Sequence, residues 1–577
     1  MNINKFTVAD YLLTRLKELG LNKVFQVPGD YVQEFMAALD NFCDIEAVGD
    51  VTELGAGYAA DGYARYKGIG AVSVQYGVGT FSVLNAIAGA YVERNPVVVI
   101  SASPSLENRV TIAETGALFH HSTGNYQADK TVFESVTVAS EILTDAALAP
   151  AIIDRALQLA MAEKRPIYLE AWQNVWGADC PRPDERLPKL VTPPNKDQQK
   201  ELVASVINSL KQAKQPILML GIELARLGLA EEVAELLRCL NIPYTTTTLA
   251  KSVLSETDGI GKTAFIGTYA GEASRQEVFD YVKKCDAIIA LGAIFTDDYL
   301  TMLTTQADAI TRVNMGSAVV GKNTSYLQIS LGNFIRELTV YFKANPLPVC
   351  HTNQPSYLDS SATCPTDHQP ASYQSFFAYY QHALNHDPIV QDYNLILGES
   401  SSLYMAARLV GVKQDHFVSD AAWGSLGHET GCALGVSLAN PRRSIVIAGD
   451  GGFMMMCQTL STLQRHNLNT VVFVMSNAVY AIEQSFVDIC AFTPNGQFAP
   501  FDNLPTWHYD KLAGAFGVKH LTIATNADIH RVFQHIAEDS KSSYLVEVKI
   551  DKHDLAPAIK DLAEAITHKR LDECPCQ

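Results

Sequence analysis

The sequence predicts an α/β protein of three domains, each built on a doubly wound parallel sheet. Apolar, β-branched runs of strand length alternate with helix-length segments along almost the whole chain, which is typical of parallel sheets covered by helices. Two polar, proline-containing stretches, 181–200 and 345–370, interrupt this alternation and indicate linkers. A chain of 577 residues is long enough for three or four domains.

These interruptions give the predicted domain boundaries. The first domain spans residues 1–185, the middle domain 195–345, the third domain 371–555, and a helical tail 556–577. Apolar runs typical of strands occur at 71–75 and 97–101 in the first domain and at 216–220 and 287–291 in the middle domain.

Charge and composition limit the kinds of partner. The formal net charge of −18 argues against binding to nucleic acid or to an anionic membrane surface. No apolar run approaches the roughly 20 residues that span a bilayer. We therefore expect a small-molecule substrate, with no nucleic acid and no membrane as partner.

The ends and the cysteines indicate a cytoplasmic protein. Thr7 and Asp10 have the spacing of a capping box, and an amphipathic helix follows instead of a signal peptide. The eleven cysteines are scattered without a C-x-x-C pair, and Cys574 and Cys576 are the only close pair. We expect reduced thiols.

The most informative segment runs from Ser444 to Asn477. An apolar run ends in Gly449-Asp450-Gly451-Gly452, a helix-length segment follows, and a second apolar run ends at Asn477. This pattern predicts a strand, a crossover helix and a parallel strand, so Asp450 and Asn477 should meet at one sheet edge. Their hard oxygen donors suit Mg²⁺, and the glycines allow close approach of a phosphate.

Other polar residues have ordinary structural explanations when each is considered alone. Asp30 follows a short strand in a tight turn, Glu53 favours a helix N-terminus, and Glu483 could be a surface carboxylate. His120 and His121 lie in a glycine-flanked loop, where solvent-exposed histidines are common.

Seven ordered segments together resemble the thiamine-diphosphate-dependent 2-oxo acid decarboxylases, the family of pyruvate, indolepyruvate and phenylpyruvate decarboxylases. They are VPGDY (27–31), TELGAGYAADGYARYKGIGA (52–71), YGVGTFSVLNAIAGAYVERNPVVVI (76–100), LFHHSTGN (118–125), WGSLG (423–427), AGDGG (448–452) and SNAVYAIE (476–483). The resemblance implies thiamine diphosphate and Mg²⁺ as cofactors. It also implies that the three domains are a pyrimidine-binding, a middle and a diphosphate-binding domain.

The resemblance assigns roles by position. The Mg²⁺ ligands would be Asp450, Asn477 and the backbone carbonyl of Val479. The cofactor-binding residues would be Glu53, Ser400, Ser402, Gly424, Leu426, Gly449, Asp450, Gly451, Gly452, Asn477, Val479 and Ile482. The catalytic residues would be Glu53, Asp30, His120, His121 and Glu483. The substrate pocket would include Thr80, Phe81, Ile482 and Phe486.

These roles imply a lyase that converts a 2-oxo acid into an aldehyde and CO₂ through a ylid and an enamine. Glu53 would hydrogen-bond the aminopyrimidine ring and should be largely buried, while Leu426 would bend the cofactor. The two histidines and the acids Asp30 and Glu483 would supply protons. The family also implies a homodimer as the minimum active unit and a homotetramer as the assembly.

The substrate is not determined by the motifs. Gly79-Thr80-Phe81-Ser82 is nearer to the pattern of phenylpyruvate decarboxylases, some of which lack the acid that this chain has at Glu483. One methylene changes discrimination by only about 1–3 kcal/mol, so pyruvate, branched-chain, phenylpyruvate and indolepyruvate substrates all stay open. We expect medium or large apolar 2-oxo acids.

Three alternatives stay open. A carboligase of the acetolactate synthase type would share the cofactor, but it usually lacks the paired histidines and binds flavin in its middle domain. A non-catalytic scaffold is disfavoured by the retained polar residues. A generic nucleotide-binding protein would bind ATP or NAD without thiamine diphosphate.

Overall fold

The predicted strands form three separate sheets in the computed structural model, which describes residues 6–257, 260, 264–347, 355 and 365–574. The chain divides into two compact units. The amino-terminal unit is Met1–Val191, Thr430–Pro441 and Met456–His466, and the carboxy-terminal unit is Thr192–Glu429, Arg442–Met455 and Asn467–Gln577.

The first sheet belongs to the amino-terminal unit and has the order β2-β1-β3-β4-β6-β5, with every pairing parallel. Its strands are β1 (Lys23–Gln26), β2 (Glu46–Gly49), β3 (Gly70–Ser73), β4 (Val97–Ser103), β5 (Ala139–Leu143) and β6 (Ile167–Trp172). The helices are α1 (Val8–Glu18), α2 (Gln33–Asp40), α3 (Glu53–Lys67), α4 (Val78–Val92), α5 (Leu106–Thr115), α6 (Ala128–Phe133) and α7 (Ala149–Glu163). The capping box of Thr7 and Asp10 is confirmed at the start of α1.

The second sheet lies in the carboxy-terminal unit and has the order β13-β12-β11-β10-β7-β8-β9. Its strands are β7 (Pro216–Leu220), β8 (Tyr244–Thr247), β9 (Phe265–Tyr269), β10 (Ala287–Leu291), β11 (Ile310–Asn314), β12 (Gly316–Val320) and β13 (Thr324–Ile329). The helices are α8 (Lys196–Gln212), α9 (Glu223–Arg226), α10 (Ala230–Leu240), α11 (Gln276–Lys283), α12 (Leu300–Thr305) and α13 (Leu331–Ala344), with 3₁₀ turns at Asp297–Tyr299 and Ala307–Ala309.

The third sheet also lies in the carboxy-terminal unit, with the all-parallel order β15-β14-β16-β17-β19-β18. Its strands are β14 (Asn394–Leu397), β15 (Phe417–Ser419), β16 (Ser444–Gly449), β17 (Val471–Ser476), β18 (Lys519–Ile523) and β19 (Tyr544–Lys549). The helices in this part of the chain are α14 (Tyr373–His386), α15 (Pro388–Gln391), α16 (Ser401–Ala407), α17 (His428–Ala439), α18 (Asp450–Met456), α19 (Thr459–Arg465), α20 (Ala481–Asp488), α21 (Tyr509–Phe516), α22 (Asn526–Glu538) and α23 (Pro557–Thr567). Of these, α19 and all but the first two residues of α17 belong to the amino-terminal unit. Further 3₁₀ turns span Ile489–Phe492, Pro500–Asp502 and Leu571–Glu573.

The fold class is confirmed: all three sheets are mostly parallel and alternate with helices. Central strands such as β4, β7 and β10 are buried along their whole length, as expected when helices cover both faces. The one departure is the antiparallel edge formed by β11, β12 and β13. A single residue connects β11 to β12, and so short a connection permits only antiparallel pairing.

Each sheet lies inside one of the predicted domain ranges, but the boundaries themselves stay a prediction. Most of the second predicted linker, 345–370, lies outside the described residues. Among the described residues, no helix combines the length and the apolar character required to cross a bilayer.

Two cysteines contradict the expectation of reduced thiols. Cys490 and Cys574 form a disulfide across a sequence separation of 84 residues. They meet because α23 packs against α20 and the 571–573 turn contacts the 489–492 turn, while Lys569 forms an ion pair with Asp488 at 2.6 Å. Sequence spacing could not indicate this pair, because only tertiary packing brings the tail to α20.

Replacing Cys574 with serine is expected to lower the free energy of unfolding by about 2–4 kcal/mol, because the disulfide restricts the unfolded chain. Urea denaturation without reductant measures the change. Adding reductant should lower the free energy of unfolding of the parent protein by a similar amount. Cys239→Ser, at a partly buried free thiol, is the control. Alkylation of both Cys490 and Cys574 in denatured, unreduced protein would contradict the prediction.

Candidate active site

The ends of β16 and β17 bring Asp450 and Asn477 together, as the crossover pattern predicted. The strands pair in parallel, with Gly449 opposite Met475. Asp450 Oδ2 accepts the backbone N–H groups of Asn477 at 3.1 Å and Ala478 at 2.6 Å. The crossover contains two helices, α18 and α19, rather than the single helix that was expected.

The donor set at this edge fits a divalent cation. Asp450 is almost fully buried, and burial raises the pKa of its carboxyl to about 6 although four backbone N–H groups oppose the shift. A bound cation would stabilise the ionised carboxylate in this environment. Asn477 Nδ2 is buried without a hydrogen-bond partner among the described residues, which leaves the amide incompletely satisfied. Val479 is buried beside them.

A cleft surrounds these donors within the carboxy-terminal unit. It is lined by Tyr373, Glu399, Ser400, Ser401, Leu426, Gly449, Asp450, Gly451, Gly452, Asn477, Val479, Tyr480, Ala481, Ile482 and Glu483. Most of the residues expected to hold the cofactor therefore share one cleft. Three of these lining residues, Ala481, Ile482 and Glu483, belong to α20, whose N-terminus lies at this edge.

Three of the expected cofactor residues do not line this cleft: Ser402, Gly424 and Glu53, the last of which belongs to the amino-terminal unit. Ser402 is completely buried, and its hydroxyl has no partner among the described residues. Ser401, which the sequence did not single out, lines the cleft instead. Consecutive residues of α16 point to different sides of the helix, so the sequence Ser400-Ser401-Ser402 alone could not show which serine faces the cleft. Gly424, at φ +69°, lines a neighbouring larger cavity.

The larger cavity has a volume of about 700 Å³ and shares Glu399, Ile482 and Glu483 with the cleft. Phe486, Trp423, Ala421 and Ala422 add apolar surface to its wall. Ile482 and Phe486, expected in the substrate pocket, therefore lie together here next to Glu483. The helix α23 contributes Leu562 and Ile566 to the same wall.

Glu429 is a buried acid that the sequence reasoning missed. It is only 1% exposed, and burial raises the pKa of its carboxyl to about 7, although the backbone N–H of Gly427 opposes this shift. It packs against Gly398 and Gly452, where a side chain would overlap its carboxyl group. No motif surrounds Glu429, so only the tertiary structure places it under the cleft.

Glu429→Gln is expected to stabilise the protein without cofactors at pH 8 and to change little at pH 4.5. The folded state holds the Glu429 proton more tightly than the unfolded state, in which the pKa is about 4.5. The contribution of protonated Glu429 to the free energy of unfolding is complete below the unfolded-state pKa. It is lost as the pH rises towards the folded-state pKa of about 7, which lowers the free energy of unfolding of the parent protein by about 3 kcal/mol. Urea denaturation at both pH values measures the difference.

Glu538→Gln, at an exposed carboxyl of α22, is the control and should behave like the parent protein at both pH values. Equal stability of Glu429→Gln and the parent protein at pH 8 would show that the pKa of Glu429 is not raised.

Glu53 starts α3 in the amino-terminal unit. Thr52 caps the helix by accepting the N–H of Gly55 at 3.0 Å, and Glu53 occupies the first turn. The side chain is partly exposed in this unit, so the expectation of a largely buried Glu53 is not met within the single chain. The helix N-terminus favours the carboxylate at this position.

A second polar cluster in this unit contains Asp30 and the paired histidines. Gln75 Nε2 donates to Asp30 Oδ1 at 2.7 Å. The ring of His121 lies 6.0 Å from that of Tyr76 and 6.1 Å from that of His120, and the hydroxyl of Tyr76 donates to the His120 carbonyl. All three predicted residues, Asp30, His120 and His121, are exposed in the single chain.

Gly77 explains how the histidine loop approaches α4. Its φ is +67°, and a side chain there would overlap the carbonyl oxygen of His121. Asp129 accepts the N–H of Gly77 at 2.7 Å and the hydroxyl of Thr80 at 2.6 Å, which fixes the turn before α4. Asp129 is therefore a supporting residue that the sequence did not reveal.

The two α4 residues expected in the substrate pocket are placed differently. Thr80 is fully buried, and its hydroxyl is bonded to Asp129, so in this unit it supports the turn and lines no described cavity. Phe81 is exposed on the surface of α4. Adjacent helical positions point about 100° apart, which explains why one is buried and the other is exposed.

Comparisons with known proteins cover all three sheets. The chain matches the N-terminal TPP binding domain of thiamine pyrophosphate enzymes over residues 6–127, the central domain over 203–338 and the C-terminal TPP binding domain over 399–548.

Curated relatives match over nearly their whole length. A pyruvate decarboxylase of Aspergillus terreus is 30% identical, and the match covers 97% of each chain. A pyruvate decarboxylase of Aspergillus fumigatus is 29% identical over 97% of this chain and 96% of the relative. An alpha-keto-acid decarboxylase of Mycobacterium leprae is 29% identical over 95% of this chain and 94% of the relative.

Proposed function

Because the chain belongs to the thiamine-diphosphate-dependent 2-oxo acid decarboxylases, we propose that it releases an aldehyde and CO₂ from medium or large apolar 2-oxo acids. The decarboxylase class follows from the family. The size and polarity of the substrate are our proposal, and the observation that carries it is the cavity of about 700 Å³ beside Glu483, with Ile482, Phe486 and Trp423 on its wall. Pyruvate would fill little of this space.

The diphosphate end of the cofactor would be held by the carboxy-terminal unit. Asp450, Asn477 and the carbonyl of Val479 would hold Mg²⁺, because hard oxygen donors and phosphate oxygens are its preferred ligands. Gly449, Gly451 and Gly452 leave room for the diphosphate at the N-terminus of α18, and Ser400 and Ser401 line the same cleft. Leu426 would support the bent shape of the cofactor, and Ile482 would pack beside it.

The reactive end would be completed by acids and histidines. When bound, thiamine diphosphate supplies the electron sink for the breaking carbon–carbon bond. Glu53 would hydrogen-bond the aminopyrimidine ring and hold a proton there. Asp30, His120, His121 and Glu483 would orient the substrate and deliver the proton that replaces the lost carboxylate.

The assembly is also part of the proposal. We propose a homodimer as the minimum active unit and a homotetramer in solution. The partly exposed Glu53 and the exposed Asp30, His120 and His121 support this proposal, because acid–base groups of this kind function best when water is excluded.

An aldehyde-release assay with thiamine diphosphate and Mg²⁺ tests the function. The panel is pyruvate, 2-oxoisovalerate, 2-oxoisocaproate, phenylpyruvate and indolepyruvate, and we expect the highest kcat/KM among the four larger acids. Preference for pyruvate would overturn the substrate proposal alone, and no aldehyde from any acid would overturn the whole function. Condensed 2-hydroxy ketones as the main product would favour the carboligase alternative.

A further inference from the structure

The segments of the middle domain that follow β9 and β10, together with the start of α12, contribute to the wall of the large cavity. Glu272, Thr296, Asp297, Asp298, Leu300 and Thr301 all line it, facing the residues from the third sheet and its helices. The middle domain therefore supplies part of the lining of the space in which the substrate side chain would lie. None of these six residues was expected to contact substrate.

The side from the middle domain is acidic and lacks a compensating cation. With Glu399 and Glu483, five carboxyl groups line the cavity, whereas its described lining contains no lysine or arginine and His568 is its only basic side chain. Burial and neighbouring carboxyls raise the pKa of Asp298 to about 6 and that of Glu399 to about 8. Burial is the larger cause of both shifts, and the neighbouring carboxyls add to it.

The backbone fixes the position of this acidic side. The 3₁₀ turn Asp297–Tyr299 precedes α12, and Tyr299 is buried. Gly271, at φ +56°, packs so closely on the carbonyl of Asp298 that any side chain would overlap it, which places Glu272 beside the turn. The hydroxyl of Thr296 donates to Asp298 at 3.3 Å, and that of Tyr404 lies 3.5 Å away.

The other walls are mainly apolar, with Trp423, Phe486, Leu562 and Ile566 exposed to the space. A ligand that fills the cavity would therefore place its apolar part against these side chains and another part near the carboxyl groups. An N–H or O–H group on that part would form a charge-assisted hydrogen bond, whereas a second carboxylate would be repelled.

We propose that Glu272, Asp297 and Asp298 form a selectivity wall, which favours 2-oxo acids whose apolar side chain ends in an N–H or O–H donor and rejects those with a second carboxylate. This inference rests on the proposed decarboxylase function. It assigns substrate selection to the middle domain, in addition to the residues on α20.

Two matched pairs of substrates test the wall in the full-length holoenzyme. The first pair is 4-hydroxyphenylpyruvate and phenylpyruvate, which differ by one hydroxyl group. The second is 2-oxoadipate and 2-oxohexanoate, which differ by the terminal carboxylate. We expect the hydroxyl group to raise kcat/KM at least tenfold and the carboxylate to lower it at least 100-fold.

The double variant Asp297→Asn/Asp298→Asn removes the charge with little change of shape. The ratio of kcat/KM values within each substrate pair should move at least fivefold towards one. A general loss of activity would not change these ratios. Asp280→Asn, at an exposed carboxyl on α11 outside the cavity, should leave both ratios unchanged. Asp297→Asn alone, at an exposed position, replaces the double variant if that protein does not fold.

The outcomes separate the inference from the function. If phenylpyruvate releases aldehyde but the hydroxyl gives no preference, the inference is wrong and the function stands. If the ratios are the same in the variant and the parent protein, the wall is not formed by these residues. If none of the four acids releases aldehyde, the inference and the proposed substrate class are wrong, and the panel of five acids then shows whether the decarboxylase function stands.

Discussion

Glu53→Gln is expected to reduce kcat about 10³-fold while the protein still binds thiamine diphosphate. Glutamine has nearly the shape of glutamate and can hydrogen-bond a ring nitrogen, but it cannot hold and release a proton, and proton transfer of this kind contributes about 10²–10⁴-fold. Aldehyde release at saturating cofactor measures the loss. The cofactor-dependent rise in melting temperature measures binding independently.

The matched control is Glu107→Gln. Glu107 also lies in the first turn of a helix, α5, so this variant reproduces the loss of a favourable carboxylate at a helix N-terminus. Its kcat should stay within twofold of the parent protein. Equal turnover of Glu53→Gln and the parent protein would exclude Glu53 from the proposed proton transfer.

Asp450→Asn is expected to weaken the binding of thiamine diphosphate and Mg²⁺ at least 100-fold. The substitution removes the only carboxylate among the three proposed metal ligands, and the diphosphate brings further negative charge that the metal must neutralise. The melting temperature of the parent protein should rise strongly when cofactor and Mg²⁺ are added. The variant should show little rise at the same concentrations, and its aldehyde release should fall in parallel.

Melting temperatures in EDTA reveal whether Asp450→Asn folds. Asp510→Asn, at an exposed first-turn carboxyl of α21, is the control and should keep the full cofactor-dependent rise. Asn477→Ala provides a second, independent test of the same metal site. If cofactor and Mg²⁺ raise the melting temperature of Asp450→Asn as much as that of the parent protein, the metal does not bind at the edge formed by β16 and β17.

The pairing of Asp450 with Asn477 was predictable because strand-end geometry is a local rule. Two apolar runs and a helix between them fix a parallel crossover, and the crossover brings both strand ends to one edge. The strands β7 and β10 were found at the expected residues, 216–220 and 287–291, because each is a continuous buried apolar run. The antiparallel edge was missed because most residues of β12 and β13 are not buried, so these strands lack such a run.

The residues that were misplaced or missed share a different property. Ser401 replaces Ser402 in the cleft, and Thr80 bonds to Asp129 instead of lining a pocket, because the rotation of a helix decides which neighbour faces the cavity. Glu429 carries no motif at all. Its unusual environment arises from glycines at 398 and 452 that are distant in sequence.

The periodicity of the sequence was enough to predict the fold class, and the resemblance of seven short motifs to a known family implied the cofactor and the chemistry. Which side chains lie together in one site depends on the tertiary structure. The Cys490–Cys574 disulfide and the acidic side of the large cavity both join segments that are far apart in the chain. Such proximity results from the packing of whole elements, which no local pattern encodes.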